Sequence, residues 1–192
     1  MNVVERAKNL ILQPSAEWAK IDAETHTVQG LYTGWIMILA AIGPVCAFVG
    51  HSIVGVGAFG ISYRMPIASG LALMVASYAI GLGMVYAFAL LIDALAPSFD
   101  GTRDFGQAFK VAAFAPTASW LASAFGILPA LSILSILGFY SLYLLWLGLP
   151  RLMKVPEAKA ATYTVVVIIA GLVMAVVAGT ATAYLGYGRL YG

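Results

Sequence analysis

The sequence predicts an all-α, polytopic membrane protein with five transmembrane helices and an amphipathic N-terminal head. Three observations carry this prediction. Of the 192 residues, 62% are hydrophobic and only 9% are charged, and the mean hydropathy is +0.95. A soluble domain carries about 25% charged residues, so this chain cannot cover itself with polar side chains. The third observation is a series of long uncharged runs, which are typical of transmembrane helices.

The predicted head, residues 1–30, divides at Gln13-Pro14 into two short helices. Trp18 and Ile21 share the apolar face of the second helix. We expect both helices to lie along the membrane surface, with Trp18 at the depth of the lipid headgroups. A solvated head packed on loops is the alternative. The predicted membrane-surface contacts are Trp18, Lys20, Arg151, Lys154 and Lys159.

The membrane domain is predicted over residues 31–186, and a short non-cytoplasmic tail follows at residues 187–192. Helical runs of about 20 apolar residues suffice to cross the hydrocarbon core. The five predicted spans cover approximately residues 31–49, 66–92, 107–125, 129–149 and 162–184.

Spans three and four are predicted to form a tight helical hairpin. Residues 111–150 carry no charged side chain. As one helix they would extend roughly 60 Å, about twice the hydrocarbon core, so the run must fold back on itself. Gly126 ends the first arm, and Pro129 suits the first turn of the second.

The distribution of basic residues predicts a cytoplasmic N-terminus. With that orientation, the head and the loops after spans two and four lie inside, and they hold eight of the ten basic residues. Only Arg64 and Arg189 lie outside. Such an excess of Lys and Arg marks the cytoplasmic side, where the cations also face anionic lipid.

Small residues predict how the fifth span packs. Gly171, Ala175, Gly179 and Ala183 recur every four residues and form a smooth stripe. Small side chains let helix backbones approach closely within lipid. The stripe therefore meets a helix of the same chain, which we favour, or a helix of a second copy.

No motif predicts catalysis, a metal site or a bound cofactor. The two histidines, His26 and His51, lie at opposite ends of span one and cannot act together. Asp93 is the one candidate for an ionisable group inside the membrane, and we interpret it as an interfacial acid. Pro116 is expected to kink span three. Together with Tyr140 and Tyr143 of span four, it is the candidate for a cavity.

The order of these features resembles the Yip1 family, specifically its small bacterial branch. The resemblance is strongest over FGQAFKVAAFAPTASWLASAFGILPAL and YSLYLLWLGLPRLMKVPEAKAATYTVVVI. The family's aromatic-small-x-Pro element falls on Phe114, Ala115 and Pro116, and its Gly-x-Pro element falls on Gly148 and Pro150. The acidic Leu-Tyr-Gly-Pro motif of eukaryotic members is absent. The resemblance implies a five-span protein without catalytic residues that self-associates or binds partners.

The leading hypothesis is a non-enzymatic membrane scaffold of the bacterial inner membrane. Its predicted partners are membrane lipids, further copies of the chain or other membrane proteins, and the small net charge of +2 argues against nucleic acid. The amphipathic head, the small-residue stripe and the expected lack of buried charge favour this hypothesis. A transporter or pore for a small or lipophilic solute is the rival, and an accessory subunit of a larger membrane complex is a third reading.

Overall fold

A computed structural model describes residues 2–58 and 61–187. The head forms helices α1 (Val3–Leu12) and α2 (Pro14–Ala23), divided at Gln13 as predicted. Asn2 caps α1 by accepting a hydrogen bond from the Glu5 backbone N–H at 3.2 Å. Proline starts α2 because its missing N–H costs nothing in the first turn of a helix.

The first long helical run covers Val28–Val54 and is not a regular α-helix. It contains three α-helical pieces and two π-helical pieces: α3 (Val28–Leu31), Tyr32–Ile36, α4 (Met37–Ala40), α5 (Ile42–Phe48) and Val49–Val54. Two short strands that the sequence analysis did not predict follow it. Strands β1 (Val56–Ala58) and β2 (Ile61–Tyr63) pair antiparallel, with Val56 opposite Tyr63.

Helix α6 (Ile67–Leu95) and helix α10 (Glu157–Tyr187) are the two longest helices in the described part of the chain. With 29 and 31 residues, each is about 45 Å long, roughly 15 Å more than the hydrocarbon core. They pack along one another. Their excess length lets them continue beyond the hydrocarbon, at the level of the head.

The predicted third span is broken into short pieces. It consists of α7 (Phe105–Phe114), a turn at Ala115-Pro116, α8 (Thr117–Ala122) and a 3₁₀ helix, Ser123–Ile127. The predicted fourth span is a 3₁₀ helix, Pro129–Phe139, followed by α9 (Tyr140–Leu152). Pro150 lies inside α9 and does not end it.

Four helical stretches in the described residues are long and apolar enough to cross a membrane, whereas the sequence predicts five. They are Val28–Val54, Ile67–Phe99, Leu131–Leu152 and Glu157–Tyr184. The predicted span at residues 107–125 is missing from this set because proline interrupts its helix. Of the predicted tail, residues 188–192 lie outside the described residues.

The buried core lies at one end of the bundle. There α1 and α2 pack against α7 and α9, and the largest fully buried side chains include Trp18, Trp35, Tyr163, Phe109 and Phe114. We call the head and the ends of α6, α7, α9 and α10 around it the head-side half. The distal half comprises the opposite ends of α6 and α10 and the helical pieces between residues 117 and 139.

Candidate functional site

Lys110 of α7 occupies the centre of the junction between the head and the bundle. Its side chain is almost fully buried, and Nζ donates hydrogen bonds to the carbonyl oxygens of Ile21 at 2.7 Å, Asp22 at 3.2 Å and Glu24 at 2.9 Å. These carbonyls lie at the C-terminal end of α2, where the helix dipole attracts a cation. Lys110 thus fastens the end of the head to α7.

A second set of charges joins α1 to the end of α2. The guanidinium of Arg6 donates two hydrogen bonds to the carboxylate of Glu24, at 2.6 and 2.7 Å, and lies 3.4 Å from Glu17. Only 3% of the Glu17 side chain is exposed, and Lys20 also pairs with it, at 3.0 Å. Arg6 additionally lies over the ring of Phe114. The expected lack of buried charge is therefore wrong.

These contacts change the acidity of Glu24. The hydrogen bonds from Arg6 lower the pKa of the Glu24 carboxyl below its ordinary value of 4.5, against desolvation, which raises it. His26, whose Nε2 lies 2.8 Å from Glu24, lowers this pKa further. Glu24 is consequently ionised at neutral pH and holds α1 against α2.

The cations predicted to contact the membrane surface instead lie beside acids of the protein. Lys154 donates hydrogen bonds to both carboxylate oxygens of Asp22, at 3.0 and 3.2 Å, and Arg151 lies 3.8 Å from the same group. Lys159 pairs with Asp100. These side chains and Lys20 remain about half exposed, so their contact with lipid stays a prediction.

The prediction that Trp18 contacts the membrane surface is wrong. Its side chain is fully buried, edge-on to Phe114 with ring centroids 6.5 Å apart. Glycine at position 148 makes this possible, because a Cβ there would lie 2.5 Å from the Trp18 ring. The head helices pack against the bundle: α2 packs along α9, and the Tyr140 hydroxyl donates a hydrogen bond to the carbonyl of Ile11 in α1 at 2.9 Å. Contact of the outer face of α1 with the membrane surface stays a prediction.

Pro116 breaks the helix and frees backbone carbonyls, as the sequence predicts for such a residue. Side chains satisfy two of these carbonyls. The indole Nε1 of Trp35 donates to the carbonyl of Ala113 at 3.1 Å, and the Thr117 hydroxyl donates to that of Phe114 at 2.5 Å. The break is thus a hydrogen-bonded part of the fold.

A cavity of about 380 Å³ opens beside this break, between α6, α8, α9 and α10. Small side chains on all sides leave the space unfilled. The small residues among its lining are Gly81, Ala112, Ala115, Ser119, Ser141, Gly171, Ala175 and Ala178. Tyr140 and Tyr143 are not part of the lining, so the predicted cavity is found at Pro116 but not at the two tyrosines.

On the head side, the cavity ends at a closely packed layer. This layer lies about one helical turn from the lining residues, toward the head, and its side chains have no exposed surface. Its members are Ile92, Ala108, Leu149 and Tyr163. The Tyr163 hydroxyl also donates a hydrogen bond to the carbonyl of Ile92 at 2.7 Å, which joins α10 to α6. The cavity is consequently a pocket closed toward the head.

Most of the predicted stripe on α10 makes no close helix contact within the chain. Gly171 packs near the ring of Phe88, but Ala175, Gly179 and Ala183 are exposed. No atom of the described residues lies within 4 Å of the position that a Cβ on Gly179 would occupy. The favoured internal packing is therefore wrong for these three residues, because α10 turns Tyr163 and Val167 toward the bundle instead.

Asp93 lies at the head-side end of α6 and is only 6% exposed. Its Oδ2 accepts a hydrogen bond from Arg103 at 3.1 Å, whereas Oδ1 has no hydrogen-bond partner among the described residues. Within residues 2–58 and 61–187, no three His, Cys, Asp or Glu side chains are grouped to hold a metal ion.

The sequence analysis did not identify the roles of Glu17 and Lys110, although the sequence around each residue contains an indication of its role. Glu17, Trp18 and Ile21 lie on the same face of α2, and an acid on the apolar face of a short helix indicates a buried ion pair. Lys110 is the last charged residue before the uncharged run 111–150. Reading the acids of the head together with this cation would have predicted the docked head.

Comparisons with known proteins identify relatives of this chain. A profile described as the Yip1 domain matches residues 8–178. The chain is 26% identical over 189 residues to "Inner membrane protein YohC" of Escherichia coli strain K12, covering 95% of this chain and 97% of that protein. The protein of the same name from strain CFT073 gives the same values. No solved structure matches the chain. The extent of the profile match shows that this chain belongs to the Yip1 domain family.

Proposed function

We propose that the protein is a non-enzymatic scaffold of the bacterial inner membrane, with five spans and a cytoplasmic head. In this proposal, residues 107–125 and 129–149 form the hairpin of spans three and four, and the break at Pro116 lies within the third span. The excess of basic residues on the head side supports the orientation. The Escherichia coli relatives are named as inner membrane proteins, which supports the location.

The observation that carries the scaffold function is the exposed small-residue edge of α10. Ala175, Gly179 and Ala183 form a smooth surface that no helix of the chain covers in the described structure. In lipid, such a surface gains packing energy only when another helix approaches it closely. A second copy of the chain, presenting the same edge, supplies that helix and makes a two-fold symmetric contact.

The test compares two substitutions on the same helix, measured as energy transfer between labelled copies in native-lipid vesicles. Gly179→Leu places a bulky side chain in the edge, and the apparent dissociation constant of the dimer should rise at least tenfold. Ala181→Leu is the control, since Ala181 is exposed but lies about 200° around the helix. A wild-type chain that stays monomeric, or a Gly179→Leu variant that associates normally, refutes the proposal.

The rival function, transport of a small or lipophilic solute, draws support from the cavity beside Pro116. Its closed head-side end favours binding over passage, because a conducting path would have to separate the packed layer around Tyr163. An accessory role in a larger complex uses the same α10 edge with a different partner. Recovery of the chain with a second membrane protein, and not with itself, would favour that role.

A further inference from the structure

We infer that the cavity beside Pro116 is a binding site for one acyl chain of a membrane phospholipid. The cavity belongs to the depth of the bilayer, because its walls are parts of α6 and α10 within candidate spans. Its volume of about 380 Å³ lies within the range of roughly 300–1,000 Å³ usual for sites that hold small organic molecules. This inference does not rest on the proposed self-association, although Ala175 belongs both to the cavity and to the α10 edge.

The shape of the cavity fits an extended hydrocarbon chain. Along α6 the lining runs from Gly81 to Phe88, and along α10 it runs from Ile168 to Ala178. These stretches correspond to about 10 and 15 Å of helix. The cavity is therefore elongated along the helices, which is also the direction in which acyl chains lie in a bilayer. Ser119, Leu172 and Ala175 are exposed at its rim, so the chain enters from the surrounding lipid.

The chemistry of the lining indicates an apolar occupant. Its hydroxyls, on Ser119 and Ser141, satisfy one another: their oxygens lie 2.9 Å apart, and the Ser119 N–H donates to Ser141 Oγ at 2.8 Å. The Ser119 hydroxyl lies 2.9 Å from the carbonyl of Gly138 and donates to it. Neither hydroxyl needs a ligand. The remaining walls, which include Met84, Phe88 and Leu145, are apolar.

Water and a partner helix are poorer occupants. A buried water is stable when it makes two to four hydrogen bonds, which a lining with self-satisfied serines does not offer. A helix is about 10–12 Å across with its side chains, and α6 and α10, which form two walls of the cavity, pack along one another and leave no such width between them. One hydrocarbon chain, which is thin and needs no polar partner, matches both the size and the chemistry.

The test fills the cavity from one side and uses a matched glycine as the control. Gly81→Leu projects into the cavity, whereas Gly83→Leu, on the same helix, projects into open space among the described residues. Both variants change helix propensity equally. The full chain is reconstituted in nanodiscs of phosphatidylethanolamine and phosphatidylglycerol, and native mass spectrometry counts the phospholipids that it retains. Ala178→Leu is a second filling variant in case Gly81→Leu fails to fold.

A second readout uses Trp120, which lines the cavity. In a Trp146→Phe background, the fully buried Trp18 and Trp35 supply a constant emission, and phospholipids with brominated chains should quench the Trp120 emission at a low mole fraction, as expected for a specific site. The inference predicts one retained phospholipid and early quenching for the wild type and Gly83→Leu, with at least a fivefold loss of both for the filling variants. Equal retention in all variants overturns it. Retention of a free fatty acid or another lipophilic molecule in place of phospholipid overturns it as well.

Discussion

The two halves of the molecule obey different packing rules. In the head-side half, the head and the bundle meet around fully buried aromatic residues, and the charged side chains of Arg6, Glu17 and Lys110 are enclosed with their partners. In the distal half, small residues line an open cavity, and the apolar side chains of α10 face outward. The first half is held by specific polar bonds, whereas the second presents surfaces that lipid or another helix can cover.

The two halves therefore differ in the interactions that stabilise them. Without water to drive apolar association, membrane helices depend on close packing and hydrogen bonds. The head-side half supplies both, and its long helices extend past the hydrocarbon core. In the proposed arrangement the distal half lies within the hydrocarbon, where exposure of apolar side chains costs nothing. Substitutions in the head-side half should therefore affect folding, whereas those in the distal half should affect binding.

The largest effect is expected from Lys110→Met. This change removes a buried ammonium group that serves three backbone carbonyls, and the buried carbonyl of Ile21 then lacks this partner. We expect a loss of about 3 kcal/mol or more in the free energy of unfolding, measured by denaturant titration in micelles. Lys8→Met, at an exposed position on α1, is the control and should change stability by less than about 0.5 kcal/mol. Equal effects of the two would refute the role given to Lys110.

A smaller loss is expected from Gly148→Ala. The added methyl group would lie 2.5 Å from the ring of Trp18, which is fully buried and cannot turn away. Overpacking of this kind costs about 1–3 kcal/mol. The control Gly83→Ala meets no described atom within 4 Å and should stabilise its helix by up to about 1 kcal/mol. Opposite signs of the two changes in thermal unfolding confirm the close contact between the head and α9. A neutral Gly148→Ala contradicts it.

The smallest effect concerns pH. Because the folded pKa of Glu24 lies below its ordinary value of 4.5, its ion pair with Arg6 contributes full stability above that value. The contribution is lost as the pH falls through the lower, folded pKa. The contribution of Glu24 to the unfolding temperature should be level above pH 4.5 and should decrease below it. Glu24→Gln should be less stable than the wild type at pH 7 and should approach it in acid. An unchanged difference at pH 3 would contradict the ion pair.

The elements that the sequence predicts well are those governed by local rules. Hydropathy predicts the four helical stretches that are long and apolar enough to cross a membrane, and Gln13-Pro14 predicts the division of the head. Both signals, an apolar run and a helix breaker, lie in neighbouring residues of the sequence. The docking of the head could not be found in this way. Trp18 has the pattern of a membrane-surface residue, and only the contact with Gly148, 130 positions later in the chain, removes it from the surface.

The cavity shows the same limit. The kink at Pro116 is a local feature and was predicted, but the lining depends on which faces of α6, α9 and α10 turn toward it. Tyr140 was predicted to lie there, with Tyr143, as one of the tyrosines of span four. Its hydroxyl instead donates a hydrogen bond to the carbonyl of Ile11, because Tyr140 lies on the side of α9 that faces α1 and not the cavity. The small residues on α10 were predicted to contact another helix, but Gly171 and Ala175 line the cavity.

The central claim is that the head is docked into the bundle, with the end of α2 held against α7 and α9. Chemical cross-linking of cysteine pairs in native membranes tests it most directly, with Cys46→Ala removing the one natural thiol. Asp22→Cys with Lys154→Cys replaces two side chains that lie 3.0 Å apart, and Ser15→Cys with Lys154→Cys is the control, since Ser15 is about 10 Å away along α2. The docked head predicts rapid cross-linking by a short bismaleimide of the first pair and little of the second. No cross-linking of the first pair, or equal cross-linking of both, would contradict it.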